Sequence, residues 1–180
     1  MRKIAILILM FMLIFTTSIP AFAYKLAGWK WRDPKSITYS FHSSATNNMR
    51  TAANNAANEW IKASTKISMT YDSSGNGKVI IMGANDGPTT VDGYFKPTYE
   101  FLSTTYIKGG TIRINTYYSE KYSSTTYQAL LGHEQGHVFG LGDEPNESYR
   151  CLMIPTTKVR AYYTYIPRSD DINGINAIYQ

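Results

Sequence analysis

The sequence predicts an α+β fold, on three observations. β-Branched and aromatic runs gather in the first half, an alanine-rich amphipathic helix lies among them, and further helices close the chain, so helices bracket the strands. SITYSFH at 36–42 alternates roughly and reads as a strand. Met49, Ala52, Ala53, Ala56, Ala57, Trp60 and Ile61 recur at three- and four-residue spacing between Thr46 and Ser64, which predicts an amphipathic helix. ISMTY at 67–71 and KVIIM at 78–82 predict two short strands around a turn of Asp, Ser, Gly and Asn residues. The stretch 83–110 reads as loop-rich, punctuated by Gly87-Pro88, Gly93 and Gly109-Gly110, with a short edge strand near Val91 to Phe95. TIRINTY at 111–117 predicts another strand. Ser123 to Thr126 can cap a helix starting near Tyr127. After a long irregular segment, Ser169 is expected to cap a last helix whose apolar face is Ile172, Ile175, Ile178 and Tyr179.

Upstream of these elements, Arg2 and Lys3 precede an apolar run from Ile4 to Phe15 and then Ala21-Phe22-Ala23. That order is a secretory signal peptide cut after Ala23, and the run is shorter than the ~20 residues a membrane span needs. Residues 1–23 are therefore expected to be signal and 24–180 a single domain, secreted and extracellular. Without Arg2 and Lys3, 16 basic residues face 13 acidic ones, a net +3 that is scattered rather than clustered, so no nucleic-acid surface is expected. Cys151 is the single cysteine, which excludes an intrachain disulfide.

The chemistry concentrates in HEQGHVFGLGDE at 133–144. Of the three histidines in the chain, His133 and His137 stand four apart, and on a helix they can present two imidazoles to one ion. Glu134 then sits beside the metal, where it can take a proton from water and hand it to a leaving amine. A catalytic zinc has three protein ligands. Gly140 allows a sharp turn that returns Asp143 toward the ion, with Glu144 and Glu147 as competitors for the third place.

HEQGHVFGLGD resembles the extended HExxHxxGxxH/D motif of metzincin zinc peptidases, and its aspartate ending is similar to that of snapalysin-type secreted bacterial peptidases. CLMIP at 151–155 resembles the Met-turn, and PRSDDINGINAIY at 167–179 is similar to the C-terminal helix of matrixin catalytic domains. The order of ITYSF, the Trp60 helix and the following strands is also similar to that of matrixins. The resemblance implies a twisted, mostly parallel sheet of about five strands with an antiparallel edge strand, a packed helix, an active-site helix and a C-terminal helix. It implies one catalytic Zn2+ on His133, His137 and Asp143, Glu134 as general base and acid, and Met153 as a hydrophobic floor. It further implies that Asp170 and Asp171 buttress the Met-turn, for which simple helix capping is an equally good local reading. An extended substrate along the sheet edge and a pocket walled by residues 154–160 complete the expectation.

The chain also departs from that family. Residues 83–117 hold no histidine, so a second, structural zinc is not expected. Asp72, Asp86 and Asp92 are donors of the sort calcium takes, but their spacing matches no calcium loop and they read as solvated. No cysteine precedes the first strand, so a cysteine-bearing pro-segment is not expected and any control falls to an inhibitor outside the chain. His42 reads as structural, and Cys151 as a small buried apolar residue. Replacing a third imidazole by a carboxylate leaves the zinc site with one positive charge fewer, still compatible with hydrolysis. The function expected is a secreted zinc-dependent endopeptidase acting as a monomer on protein or peptide substrates, with no membrane contact after signal cleavage. The alternative is a non-catalytic zinc-containing binding module on the same fold, disfavoured by the presence of Glu134.

Overall fold

The computed structural model describes residues 24–180, so the expected signal segment lies outside the described residues. β1 (Ile37–Phe41), β2 (Met69–Tyr71), β3 (Val79–Ala84), β4 (Gly93–Tyr99) and β5 (Ile107–Asn115) form one sheet in the order β2-β1-β3-β5-β4. β1–β2, β1–β3 and β3–β5 are parallel, and β4 runs antiparallel to β5 at the edge. This is the α+β arrangement expected, with its single antiparallel edge strand.

Two strands differ from expectation for identifiable reasons. β5 starts at Ile107 and runs straight through Gly109 and Gly110, which had read as loop punctuation. A Cβ on Gly110 would lie 2.3 Å from the Phe95 ring, and one on Gly109 would lie 2.5 Å from the Lys78 carbonyl oxygen. The glycines mark close approach inside a sheet, not a turn. At the other end β5 stops at Asn115, because the Asn115 side chain accepts a hydrogen bond from Tyr117 N and caps a short helix, α2 (Thr116–Ser119). Thr116 and Tyr117 are therefore helical. β4 is longer than expected and carries Pro97, which an edge strand tolerates because it need not donate on its free side.

α1 (Asn47–Ala63) begins where Thr46 accepts from Met49 N, and it buries Met49, four alanines and Trp60. Small side chains let α1 lie close to α3 (Ser124–Val138), and two side-chain bonds tie the pair. Trp60 Nε1 donates to the Gly132 carbonyl at 2.8 Å and Gln135 Nε2 to the Ala53 carbonyl at 2.9 Å. α4 (Thr157–Tyr163) occupies a segment expected to be irregular. Its most deeply buried side chain is an arginine, Arg160, so apolar periodicity gives no sign of it.

α5 (Ser169–Ile178) begins one residue earlier than expected, with Arg168 at the cap position. The Asp171 carboxylate accepts from Arg168 N at 2.7 Å, and also from Leu152 N at 2.9 Å and Met153 N at 3.1 Å. It is thus both the cap of α5 and the buttress of the 151–154 segment. Burial pushes this carboxyl from 3.8 up to about 6, against the pull of those three N–H donors. The folded state then holds the proton more tightly than the unfolded chain. This contribution to stability is fully present below pH about 4 and is lost as the pH rises through about 6, a change of ~3 kcal/mol. In denaturant unfolding of metal-free protein, wild type should lose stability relative to Asp171→Asn by an amount approaching that figure between pH about 4 and about 7. Identical pH dependence in the two proteins would overturn the assignment.

Candidate metal centre

His133 and His137 lie on one face of α3, their rings 4.5 Å apart and nearly perpendicular. The helix then ends abruptly. Gly140, at φ 96°, adopts the left-handed conformation that glycine tolerates. Gly140 N donates to His137 O and Leu141 N to Gly136 O, the paired bonds of a Schellman turn. The last carbonyls of the helix are taken by aromatic donors from both ends of the domain: Trp29 Nε1 to His137 O, Trp31 Nε1 to Val138 O and Tyr179 OH to Phe139 O. Ala27 N donates to Gly140 O and Gly142 N to Lys25 O, so the segment before β1 straps the turn from outside.

That turn delivers Asp143. Its Oδ1 lies 3.2 Å from His133 Nε2 and 3.4 Å from His137 Nε2, and the two Nε2 atoms are 3.1 Å apart. Among the described residues this is the one group of three such side chains that could hold a metal ion. His133 Nδ1 faces the Leu152 carbonyl at 3.1 Å and His137 Nδ1 the Leu141 carbonyl at 2.8 Å. A carbonyl only accepts, so each Nδ1 carries the proton and both bare Nε2 lone pairs point at one another and at a carboxylate. Lone pairs arranged in this way repel one another unless a cation lies between them. Donors at 2.0–2.1 Å from a tetrahedral ion sit about 3.3 Å apart, which matches the three separations. The group therefore fits zinc. In the metal-free chain protons take the place of a metal: burial drives His133 down to about 3, whereas His137 is raised, burial lowering it less than the Asp143 hydrogen bond and the Glu134 charge raise it, and hydrogen bonds from the imidazoles hold Asp143 far below the usual carboxylate range.

The competitors for the third place go elsewhere. Glu144 is buried and turned to Asn146 N, while Glu147 is exposed in the 3-10 turn Glu147–Tyr149. Glu134 is 2% exposed, and its Oε2 accepts no hydrogen bond. Burial pushes it up to about 7, with His137 and Arg160 pulling the other way. Met153 packs under the helix: a Cβ on Gly136 would lie 2.3 Å from its sulfur, so the glycine between the two histidines makes room for the thioether. Burial also pushes the Cys151 thiol up to about 12, which leaves it a packed apolar group.

These side chains line a cleft of about 610 Å³, walled on one side by Asp92 to Phe95 and on the other by Pro155 to Lys158. Most of the expected 154–160 wall is there, but Arg160 lies beneath it, fully buried. Trp29, Tyr118 and Tyr122 also line the cleft, and sequence reasoning did not reach them. The pair of tryptophans in GWKW was the available signal for Trp29. The three loop aspartates do not gather: Asp72 accepts from Ser74 N, Asp86 pairs with Arg113, and Asp92 accepts from Tyr122 OH. His42 is exposed beside Ser44, apart from the cleft.

No curated protein matches the chain closely enough to be called a relative. The solved structure of myroilysin is similar, with a TM-score of 0.55 over 87% of this chain and 98% of that one. At 13% identity, that likeness is one of fold. The matrixin family model matches residues 30–180, nearly the whole of the described chain and all of the site just set out. This chain belongs to the matrixin family, and is a zinc metallopeptidase in kind.

Proposed function

We propose that this protein is a secreted endopeptidase in which His133, His137 and Asp143 hold one zinc ion and Glu134 is the general base and acid. The observation that carries the reading is the convergence of three lone-pair donors beside a buried carboxylate oxygen that accepts no hydrogen bond. Zinc bound there supplies Lewis acidity toward a peptide carbonyl and a lowered pKa for water in the cleft. Glu134 takes the proton of the attacking water on its open oxygen and delivers it to the departing amine. Gly93 brings β4 up to Glu134: a Cβ there would lie 3.0 Å from Oε1. The free edge of β4 thus begins at the reacting groups, and an extended peptide can add to it as a sixth strand. Residues 155–158 wall the cleft opposite β4 and would flank the substrate side chain that follows the cut. Met153 positions the histidine-bearing turn of α3 from below.

Glu134→Ala should keep zinc at one ion per chain and lose about 10³-fold in kcat/KM on a peptide library read by mass spectrometry. Cleavage by this variant at the wild-type rate would remove the assigned base. Asp143→Ala should weaken zinc binding by more than about 100-fold in competition with a chelator, because it leaves two imidazoles alone on the ion. Unchanged zinc affinity would exclude Asp143 as a ligand.

A further inference from the structure

The hairpin from β4 to β5 ends in a turn with two unusual features. Phe101 and Leu102 are each 90% exposed, more than any other large apolar side chain among the described residues. Leu102 also sits at φ 56°, a left-handed conformation that a branched residue adopts only under constraint. The constraint is visible. Glu100 N donates to Tyr106 O and Ser103 N to Glu100 O, while Ser103 Oγ accepts from Thr105 N and from Tyr106 N at 2.7 Å. The turn is braced by these bonds, and it holds both side chains outward where no other described residue covers them.

Cations surround its base. Lys30 pairs with the returning strand through Lys30 N to Thr105 O and Ile107 N to Lys30 O. The Arg32 guanidinium lies 3.9 Å over the Tyr106 ring and the Lys30 ammonium 5.7 Å from its centre. Lys108 is exposed immediately after Ile107. Glu100, the carboxylate of the turn, is already engaged by Arg32 at 2.8 Å. A convex apolar tip cannot enclose a ligand; it must itself enter something soft or hollow. The basic collar selects an anionic medium.

We propose that this tip docks the protein on an anionic lipid bilayer. Phe101 and Leu102 enter the boundary between headgroups and acyl chains, and Lys30 and Lys108 meet phosphate-bearing headgroups. The contact is peripheral, since no described helix is long and apolar enough to cross a membrane. This departs from the expectation of no membrane contact. Two residues at a turn escape any hydropathy window, and their exposure is a property of the fold.

The test is co-sedimentation of the exported protein, carrying Glu134→Ala to prevent self-digestion, with vesicles of phosphatidylcholine alone or mixed with phosphatidylglycerol. Binding should appear with the mixed vesicles and not with phosphatidylcholine, and should weaken with added salt. Phe101→Ser with Leu102→Asn should weaken it by roughly tenfold or more, given the area removed from the boundary. Asparagine tolerates the left-handed conformation, so the turn itself should survive, which circular dichroism and unfolding midpoint will verify. Lys108→Glu should weaken binding by several-fold. No binding to mixed vesicles, or binding that the double variant leaves unchanged, overturns the proposal. So does a dimer in sedimentation velocity that the double variant abolishes while vesicle binding is absent, which would make the tip a self-association surface.

Discussion

Everything in the cleft depends on where α3 stops. A helix that continued past Phe139 would carry the chain away from His133 and His137, and no third donor could return within a few residues. The Schellman turn at Gly140 reverses the chain within hydrogen-bonding reach of its own last turn, so that Leu141 O meets His137 Nδ1 and Asp143 arrives at both Nε2 atoms. A left-handed residue alone would not hold such a stop, because the final carbonyls of a helix need partners. Here Trp29, Trp31 and Tyr179 supply them from segments far away in sequence. The ends of the domain are thereby recruited to define one turn in its middle.

The floor of the site follows the same logic of filled space. Glycine inside a helix costs about 1 kcal/mol relative to alanine, so Gly136 needs a compensating contact. It has two: the Met153 sulfur lies 2.3 Å from where its Cβ would be, and the Trp60 ring stands 3.1 Å from that position. Met153 is fixed in turn by Asp171, which takes its backbone N–H, and Asp171 is fixed by its place in the first turn of α5. α1, the metal-binding face of α3, the 151–154 segment and α5 therefore form one chain of contacts.

How much of this could be read from the residues depended on how local each interaction is. α1 and α3 were legible because their caps and apolar spacing are short-range, and α1 ends within a residue of its expected bounds. His133, Glu134, His137 and Asp143 were legible because one helix and one turn assemble them. The start of β5 was not, since Gly109 and Gly110 look like a turn until Phe95 and Lys78 are seen packed on them. α4 was hidden because its buried anchor is an arginine. The tryptophan caps, and the exposure of Phe101 and Leu102, belong to tertiary structure and leave no periodic trace.

Arg160 also bears on the site. It is fully buried, donates to the Ile154 carbonyl and the Thr157 hydroxyl, and has no carboxylate in direct contact. Burial lowers its pKa to about 10, which still leaves a cation at neutral pH. Such a charge is costly unless opposite charge lies within range. Glu134, Asp92 and Asp143 provide it, each favouring the charged guanidinium. Three carboxyl groups thus stand about one buried guanidinium, and a cation held by His133, His137 and Asp143 would favour the charged form of Glu134 against the burial that raises it. The aspartate third donor, the buried arginine and the buried base are thus parts of one electrostatic network, into which the three donors would bring a cation.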